Sequence, residues 1–219
     1  MSDERRFMHI DNFDEKAVKL IKKQKINDFA FTCAFSSGFT PKVPFDLKNL
    51  LQFNDTLERL SLYGGNYTNL EVMFNEMPKL IYIDVDTQKI DFSVIAENLL
   101  IESLHSHGTR TKEWEGITKL KNLKDLCING NIALDNIDFL QRLNNLEKLR
   151  LFNCSKITRF PNLSGLTNLR LVDVQMCNGL EDISELKKLE NVRVGFSGKK
   201  IRGGYYNTAW IDAVSNNEW

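Results

Sequence analysis

The stretch LEKLRLFNCSKI, residues 146–157, combines two spacings of apolar residues. Its leucines lie three and then two positions apart, at 146, 149 and 151, and the spacing returns to three at Cys154 and Ile157. An amphipathic helix places its apolar residues three or four apart, whereas a half-buried strand alternates strictly. Neither pattern fits the whole stretch, which therefore predicts a short strand with a turn on each side.

The same mixed spacing recurs along the chain. Three copies agree closely, at residues 120–134, 143–157 and 166–180. If the third apolar position of each copy is taken as an anchor, weaker copies extend the series to Leu60, Ile83, Leu104, Leu126, Leu149, Val172 and Val192. The steps between these anchors are 23, 21, 22, 23, 23 and 20 residues. So narrow a period indicates a repeat architecture.

Each repeat is predicted to form one coil of a solenoid. The L-x-L pair is a short strand with both apolar side chains on one face, and the chain returns through an irregular or 3₁₀ segment. Stacked coils bury their leucines in a common column and join their strands in a parallel sheet. Asn131, Cys154 and Cys177 share the position where the chain leaves the strand, so we expect their side chains to bond backbone groups of the turn. Cys154 and Cys177 would be stacked, either as two reduced thiols, which we favour, or as a disulfide.

These residues resemble the leucine-rich repeat family, in the variety with short, bacterial-type repeats of about 20–23 residues. The resemblance covers about residues 54–196 and implies an α/β solenoid, with a parallel sheet on the concave face and irregular, 3₁₀ or helical returns on the convex face. It also implies binding of another protein on the concave sheet. Residues 1–53 and 197–219 are then expected to cap the two ends.

The caps have their own patterns. The N-terminal cap is predicted to contain a helix at about 13–24, with Asn12 and Glu15 as a capping box, then a strand at about 28–33 and an irregular first coil. In the C-terminal cap, apolar residues are available to cover the last coil; they are Ile201, Tyr205, Tyr206, Trp210 and Ile211. The alternative is that the aromatic residues of this cap contact a partner.

Composition excludes several classes of function. The 29 basic residues balance the 29 acidic ones, which gives no electrostatic reason to expect nucleic acid or an anionic membrane as partner. No apolar run is long enough to span a membrane, and the first residues lack the pattern of a secretory signal. The four cysteines are scattered without a CxxC pair, which favours reduced thiols and a cytoplasmic protein. We expect no cofactor, and a monomer when unbound.

The side chains between the leucines are predicted to line the concave face in three columns. From these columns we predict a partner-binding surface made of Tyr63, Tyr82, Asp84, Asp86, His105, His107, Lys148, Arg150, Phe152 and Arg193. The early coils supply an aromatic and acidic sector, and the later coils supply a mostly basic one, with Arg193 beside Asp173 in the middle column. Aromatic residues and arginine are enriched at interface hot spots. The alternative is an ordinary solvated face with local salt bridges.

One group on this face resembles a metal site. The predicted register places Asp84 beside His105 and Asp86 beside His107, and these are ligand types that Zn²⁺ accepts. Alternate residues of one strand lie about 6.6 Å apart, which is wide for a single ion. We therefore predict two surface Asp–His pairs and no metal. Such pairs would make binding sensitive to pH.

The chain carries no recognisable catalytic motif. Cys127 is expected to meet His105 across adjacent strands, but no carboxylate or oxyanion donor accompanies the pair, so a surface thiol is favoured over a nucleophile. We therefore predict a non-catalytic protein-binding module, such as an inhibitor or immunity protein that blocks a bacterial toxin. The alternative is a regulatory or adaptor subunit of an enzyme complex, followed by a metal- or thiol-dependent enzyme.

Overall fold

The computed structural model describes residues 5–10, 13–32, 44–64, 66–87, 89–97, 99–201 and 203–215. Its strands are β1 Phe7–Ile10, β2 Asp28–Thr32, β3 Phe45–Asp46, β4 Arg59–Tyr63, β5 Tyr67–Thr68, β6 Tyr82–Asp86, β7 Ser103–His107, β8 Asp125–Asn129, β9 Lys148–Phe152, β10 Leu171–Gln175, β11 Arg193–Ser197 and β12 Tyr205–Tyr206. Its α-helices are α1 Glu15–Gln24, α2 Val72–Asn75, α3 Ser184–Lys187 and α4 Thr208–Ser215. Four 3₁₀ helices complete the set: Leu47–Phe53, Phe92–Val94, Glu115–Lys119 and Asp138–Arg142.

Ten strands form one sheet in the order β1-β2-β4-β6-β7-β8-β9-β10-β11-β12. Every neighbouring pair is parallel except β11 and β12, which run antiparallel. Between consecutive long strands the chain returns through a 3₁₀ helix, a short α-helix or an irregular segment. This arrangement confirms the predicted solenoid with a parallel sheet on its inner face.

The repeated apolar residues form the buried columns. In each long strand from β4 to β11 the second residue is fully buried, and these residues are Leu60, Ile83, Leu104, Leu126, Leu149, Val172 and Val194. The fourth residue is also buried and apolar in every strand but β7, where it is Ser106. The Ser106 hydroxyl lies 2.5 Å from that of Thr109, which donates to the Thr87 carbonyl. The weak repeat at this coil therefore reflects a buried hydroxyl pair in the leucine column.

The N-terminal end contains a helix and a strand beyond the repeats. Helix α1 begins after Asp14, whose Oδ1 accepts a hydrogen bond from the Ala17 amide, and ends at Gln24, where Lys25 forms the C-terminal cap with φ 51°. The capping residue is thus Asp14, while Asn12, the predicted one, lies outside the described residues. Strand β1 extends the sheet past β2 and was not predicted, because four residues are too few to show a period. Cys33 and most of the predicted loop before β3 also lie outside the described residues.

The residues that follow the strands bond the backbone as expected. The Asn131 amide donates to the Thr111 carbonyl, and its oxygen accepts from the Ala133 and Leu134 amides. In the next two coils the thiols of Cys154 and Cys177 donate to backbone carbonyls. Both thiols are buried and free, and hydrogen bonding to Cys177 together with burial raises the pKa of Cys154. These side chains supply hydrogen bonds to backbone groups that have no backbone partner in the turn.

Aromatic residues pack the outer returns together. Trp114 is buried between the rings of Phe92, at 4.4 Å, and Phe139, at 6.2 Å between centroids. Gly116 allows two neighbouring returns to touch, since a Cβ there would lie 1.7 Å from the Phe92 carbonyl oxygen. No helix in the described part of the chain is long and apolar enough to cross a membrane.

Candidate protein-binding surface

The strand register aligns the inner-face side chains in three columns. The first column runs Arg59, Tyr82, Ser103, Asp125, Lys148, Leu171 and Arg193. The second runs Ser61, Asp84, His105, Cys127, Arg150, Asp173 and Gly195. The third contains Tyr63 at the end of β4 and then Asp86, His107, Asn129, Phe152, Gln175 and Ser197. Each predicted site residue therefore lies on the inner face of the sheet.

One of them lies in a different column from the predicted one. Val194, and not Val192, aligns with Val172, so the last step of the repeat is 22 residues. Arg193 consequently stands beside Leu171 in the first column, and Gly195 takes the predicted place of Arg193 beside Asp173. The placement was wrong because Val192, Val194 and Phe196 alternate without a break, so two anchors fit this strand equally well.

Asp84 is the centre of the early part of the surface. Its Oδ2 accepts hydrogen bonds from the hydroxyls of Tyr63, at 2.6 Å, and Tyr82, at 3.2 Å. His107 Nε2 lies 3.1 Å from its Oδ1. Burial alone would raise the pKa of Asp84, but the contacts with His107 and Tyr63 outweigh burial and lower it. The residue is thus a buried carboxylate held in its charged form by three neighbours.

The pKa shifts of these three neighbours agree with a charged carboxylate at Asp84. Burial, followed by the hydrogen bond to Asp84, raises the pKa of Tyr63 to about 12. Burial and the charge of Asp84 raise the pKa of Tyr82 as well. The hydrogen bond with Asp84 raises the pKa of His107. At neutral pH both tyrosines keep their protons and act as donors, which fixes their rings on the surface.

The two predicted Asp–His pairs are both present in the backbone register, but only Asp84–His105 is also a side-chain contact, and that contact is long. Asp84 pairs diagonally with His107, whereas His105 Nδ1 is 4.0 Å from Asp84 and His105 Nε2 is 3.6 Å from Asp125. Asp86 makes no hydrogen bond or ion pair with a described residue. Nowhere in the described ranges do three or more His, Cys, Asp or Glu residues meet as metal ligands would. The cluster is therefore an ion-paired network.

The predicted acidic and basic sectors are partly neutralised by ion pairs between neighbouring strands. Arg150 Nη2 donates to both carboxylate oxygens of Asp125, at 2.7 and 2.6 Å. Arg59 lies 3.4 Å from Asp28 and stacks 3.8 Å from the centre of the Tyr82 ring. The local salt bridges that we considered as an alternative are thus present. These salt bridges hold Arg59 and Arg150 in place. Lys148, in contrast, is exposed and has no ion pair with a described residue.

Cys127 does not lie in the environment of an activated thiol. Its thiol is buried, which corrects the expectation of a surface thiol, and burial raises its pKa to about 11. A thiol with that pKa is protonated at neutral pH, and only the thiolate attacks an electrophile.

Sequence reasoning did not select several residues that define this surface. Asp125 and Arg59 were in the predicted columns, but their ion-pair partners depend on side-chain reach across strands. Trp210 was predicted to cap the last coil or to contact a partner, and its indole lies on the inner face against Gly195. A glycine at a column position that otherwise carries a side chain is the sequence signal for such a contact.

The outer side has a separate cleft of about 610 Å³ between residues 112–115 and 135–142. Three of its four acidic side chains are ion-paired: Asp135 lies 3.2 Å from Lys112, Asp138 lies 3.4 Å from Arg159, and Glu115 pairs with Arg142. These contacts compensate the charges of the cleft, which gives little electrostatic reason to place a partner there.

Comparison with known proteins agrees with this architecture. A family model described as leucine-rich repeats in two copies matches residues 144–188. Together with the sheet of stacked coils, this match makes the chain a leucine-rich repeat protein, a class that serves generally in protein interaction.

The relatives are longer proteins. The chain is 25% identical over 166 residues to the probable disease resistance protein RPP1 of Arabidopsis thaliana, which is 74% of this chain and 12% of that protein. It is 30% identical over 94 residues to the Arabidopsis disease resistance protein RPP4, which is 42% of this chain and 8% of that protein. The chain thus spans about a tenth of each relative. Among solved structures, internalin C2 of Listeria monocytogenes matches 73% of this chain and 78% of its own, with a TM-score of 0.46 and 20% identity.

Proposed function

We propose that the chain binds a folded protein through the concave face of its sheet and that it performs no catalysis. The observation that supports this proposal most directly is the fixed geometry around Asp84. Tyr63, Tyr82 and His107 are held by one buried carboxylate, so their rotamers are restricted before any partner arrives. A preordered surface loses less side-chain entropy on binding.

The same face also offers groups that remain available. The Asp86 carboxylate and the Lys148 ammonium have no ion-pair partner among the described residues, and Phe152 is half-exposed in the third column. Charged groups of both signs suit a partner with complementary charges, and aromatic residues supply hot-spot contacts. The burial of Cys127, which raises the pKa of its thiol, supports the non-catalytic part of the proposal.

We further propose that binding is itself the output, so that the chain blocks its partner as an inhibitor or immunity protein does. Such an output needs only the concave face, whose tyrosines and histidine are held in place around Asp84 before a partner binds. An adaptor in an enzyme complex would use the same face. The two are distinguished by adding the purified chain to the isolated partner, because an inhibitor abolishes the partner's activity and an adaptor leaves it intact or raises it.

The test uses charge reversal on the two sides of the solenoid. Asp86→Lys and Lys148→Glu change the inner face, and Glu113→Lys and Lys156→Glu change exposed outer positions by the same charge. Each variant is immobilised and exposed to native lysate of the source cells. We expect the inner variants to lose a protein that the wild type and the outer variants retain. Equal retention by all four variants, or retention of nothing by the wild type, would contradict the proposal.

A further inference from the structure

Trp210 lies on the inner face of the sheet, although it belongs to the segment that closes the last coil. A Cβ at Gly195 would lie 2.8–2.9 Å from three atoms of the Trp210 ring. Gly195 occupies the second column, which carries a side chain on every strand from β4 to β10. Only glycine allows the indole to rest directly on the strand.

The end of the solenoid is closed by other groups. Strand β12 pairs with β11, and Tyr205 and Ile201 pack against the core. Asn207 donates to the carbonyls of Leu189 and Val192 and accepts from the Val194 amide. The position of Trp210 on the inner face therefore needs a separate explanation.

Trp210 and Tyr206 form an aromatic shelf at one end of the concave surface. Their ring centroids are 5.5 Å apart, and Tyr206 is 41% exposed. Tyrosine and tryptophan combine a large apolar area with few rotatable bonds, which makes them frequent anchors of binding energy.

Asp173 lies at the foot of this shelf, because it is paired in register with Gly195. Its Oδ1 accepts a hydrogen bond of 2.6 Å from the Gln175 amide, and Ser197 bonds the Gln175 oxygen in turn. Its Oδ2 has no hydrogen-bond or ion-pair partner among the described residues. The carboxylate is thus oriented on one side and open on the other.

The neighbouring cation does not neutralise Asp173 by direct contact. Arg150 stands beside Asp173 in the second column, but its guanidinium is bonded to both oxygens of Asp125. Burial raises the pKa of Asp173, which means that its charged form is stabilised too little by the surroundings. A cation placed at Oδ2 would supply the missing stabilisation of the charged carboxylate.

We propose that Asp173 and the aromatic shelf form a slot for an arginine side chain of the partner protein. The guanidinium would stack on the Trp210 ring and donate to Asp173 Oδ2. A planar guanidinium matches both groups, since it stacks on aromatic faces and bonds carboxylates through a fork of donors. This inference rests on the proposed binding function and specifies the chemistry of one contact.

The slot is tested first without the partner, by titrating the isotope-labelled full chain with N-acetyl-arginine amide. N-acetyl-citrulline amide, which is uncharged, serves as the control, and N-acetyl-lysine amide tests for an ammonium instead. We expect saturable amide shifts at Asp173, Gln175 and the Trp210 indole N–H at probe concentrations of about 10–50 mM, which is the range for a single side-chain contact. Equal shifts with citrulline, stronger shifts with lysine or no local shift at all would overturn the proposal.

Two variants remove the slot in different ways. Asp173→Asn removes the charge and keeps the shape, and Gly195→Ala displaces the Trp210 ring. Asp86→Asn is the matched control, since it neutralises another half-exposed carboxylate of the same face, on β6, four strands away from Asp173 on β10. We expect the first two variants to abolish the arginine shifts and the control to preserve them. Arginine shifts that persist in Asp173→Asn would contradict the assignment.

Partner binding then separates this inference from the proposed function. With the purified protein that the wild type retains, Asp173→Asn should weaken the affinity at least about tenfold, as loss of one interfacial charge contact does. If Lys148→Glu abolishes binding and Asp173→Asn leaves it unchanged, the arginine slot is wrong and the concave-face function stands. If neither variant changes binding, both are wrong.

Discussion

At the residue scale, the inner face depends on carboxylates that sit in the sheet beside cations or hydroxyl donors. Asp84 gathers two tyrosines and a histidine, and Asp125 holds Arg150 through two hydrogen bonds. The columns could be predicted from the repeat, but these partners could not. A diagonal contact such as Asp84–His107 depends on the length and rotamer of both side chains, which the spacing of residues does not contain.

The Asp84–His107 pair predicts a pH dependence of stability. Because the folded-state pKa of His107 is raised, its contribution is complete below the unfolded pKa of about 6.5 and is lost as pH rises through the folded value. The lowered pKa of Asp84 makes its contribution present above about 3.8 and lost as pH falls through the folded value. The pair is therefore most stabilising between the two unfolded pKa values, from about pH 3.8 to about pH 6.5, and its contribution declines on either side.

We test this with His107→Gln by urea unfolding at pH 6 and pH 8.5. The wild type should lose up to about 1 kcal/mol relative to the variant between these two values, a small effect because the imidazole is partly exposed. Asp84→Asn should remove the same difference. An equal pH response in wild type and His107→Gln would show that the pair does not couple protonation to folding.

Asp173 predicts a pH dependence of stability opposite in sign to that of Asp84. Burial raises its pKa, so stability falls as pH rises from about 3.8 through the folded value and stays lower at neutral pH. Asp173→Asn should therefore leave the free energy of unfolding at pH 7 unchanged or raise it by up to about 1 kcal/mol. Thermal unfolding of the variant at pH 7 measures this. A clear loss of stability would mean that the carboxylate serves the fold, and the slot would lose its electrostatic argument.

At the element scale, the outer returns also pack against one another. Gly116 lies in the 3₁₀ helix Glu115–Lys119, and its Cα faces the backbone of the preceding return at Phe92. Trp114 fills the space between these returns. The spacing of coils is thus set on both sides of the solenoid, by hydrogen bonds in the sheet and by aromatic packing outside.

Gly116→Ala should break this contact. The added methyl group would meet a backbone carbonyl at 1.7 Å, which only a shift of the whole return can relieve, so we expect a loss of at least about 3 kcal/mol in the free energy of unfolding. Gly165→Ala is the control, because a Cβ there meets nothing within 4 Å. Chemical unfolding measures the free energy of unfolding of both variants. Similar losses of stability in the two variants would disprove the packing explanation.

The elements also show what sequence could predict. The coils with two apolar residues in the strand were found with their register, because burial on one face fixes a period of two. Strand β1 is too short for a pattern, and β11 together with Val192 before it has three alternating apolar residues that fit two registers. Ser106 is a polar residue at a core position where the other coils have an apolar one, so it weakens the sequence pattern of its repeat. The fold tolerates it because the Thr109 hydroxyl forms a hydrogen bond with it.

At the scale of the whole molecule, each coil contacts only its neighbours, so stability is a sum of coil and interface terms. The last coil has one neighbouring coil, and the Asn207 side chain is one of the groups that close its open end. Asn207 makes four hydrogen bonds with the backbone of this end, to Leu189, Val192, Val194 and Trp210. At about 1 kcal/mol for each bond, this residue contributes a large share of the stability of β11 and β12.

Asn207→Ala should therefore open the C-terminal end without unfolding the rest. In hydrogen exchange measured by mass spectrometry, we expect faster exchange in residues 189–206 and unchanged protection in β4 to β7. The local opening should also displace Trp210 from Gly195 and weaken arginine binding in the slot, while the Asp84 network at the other end keeps its pH response. Uniform loss of protection over all coils would show instead that the solenoid opens as one unit, and the contribution of Asn207 would then belong to the whole sheet.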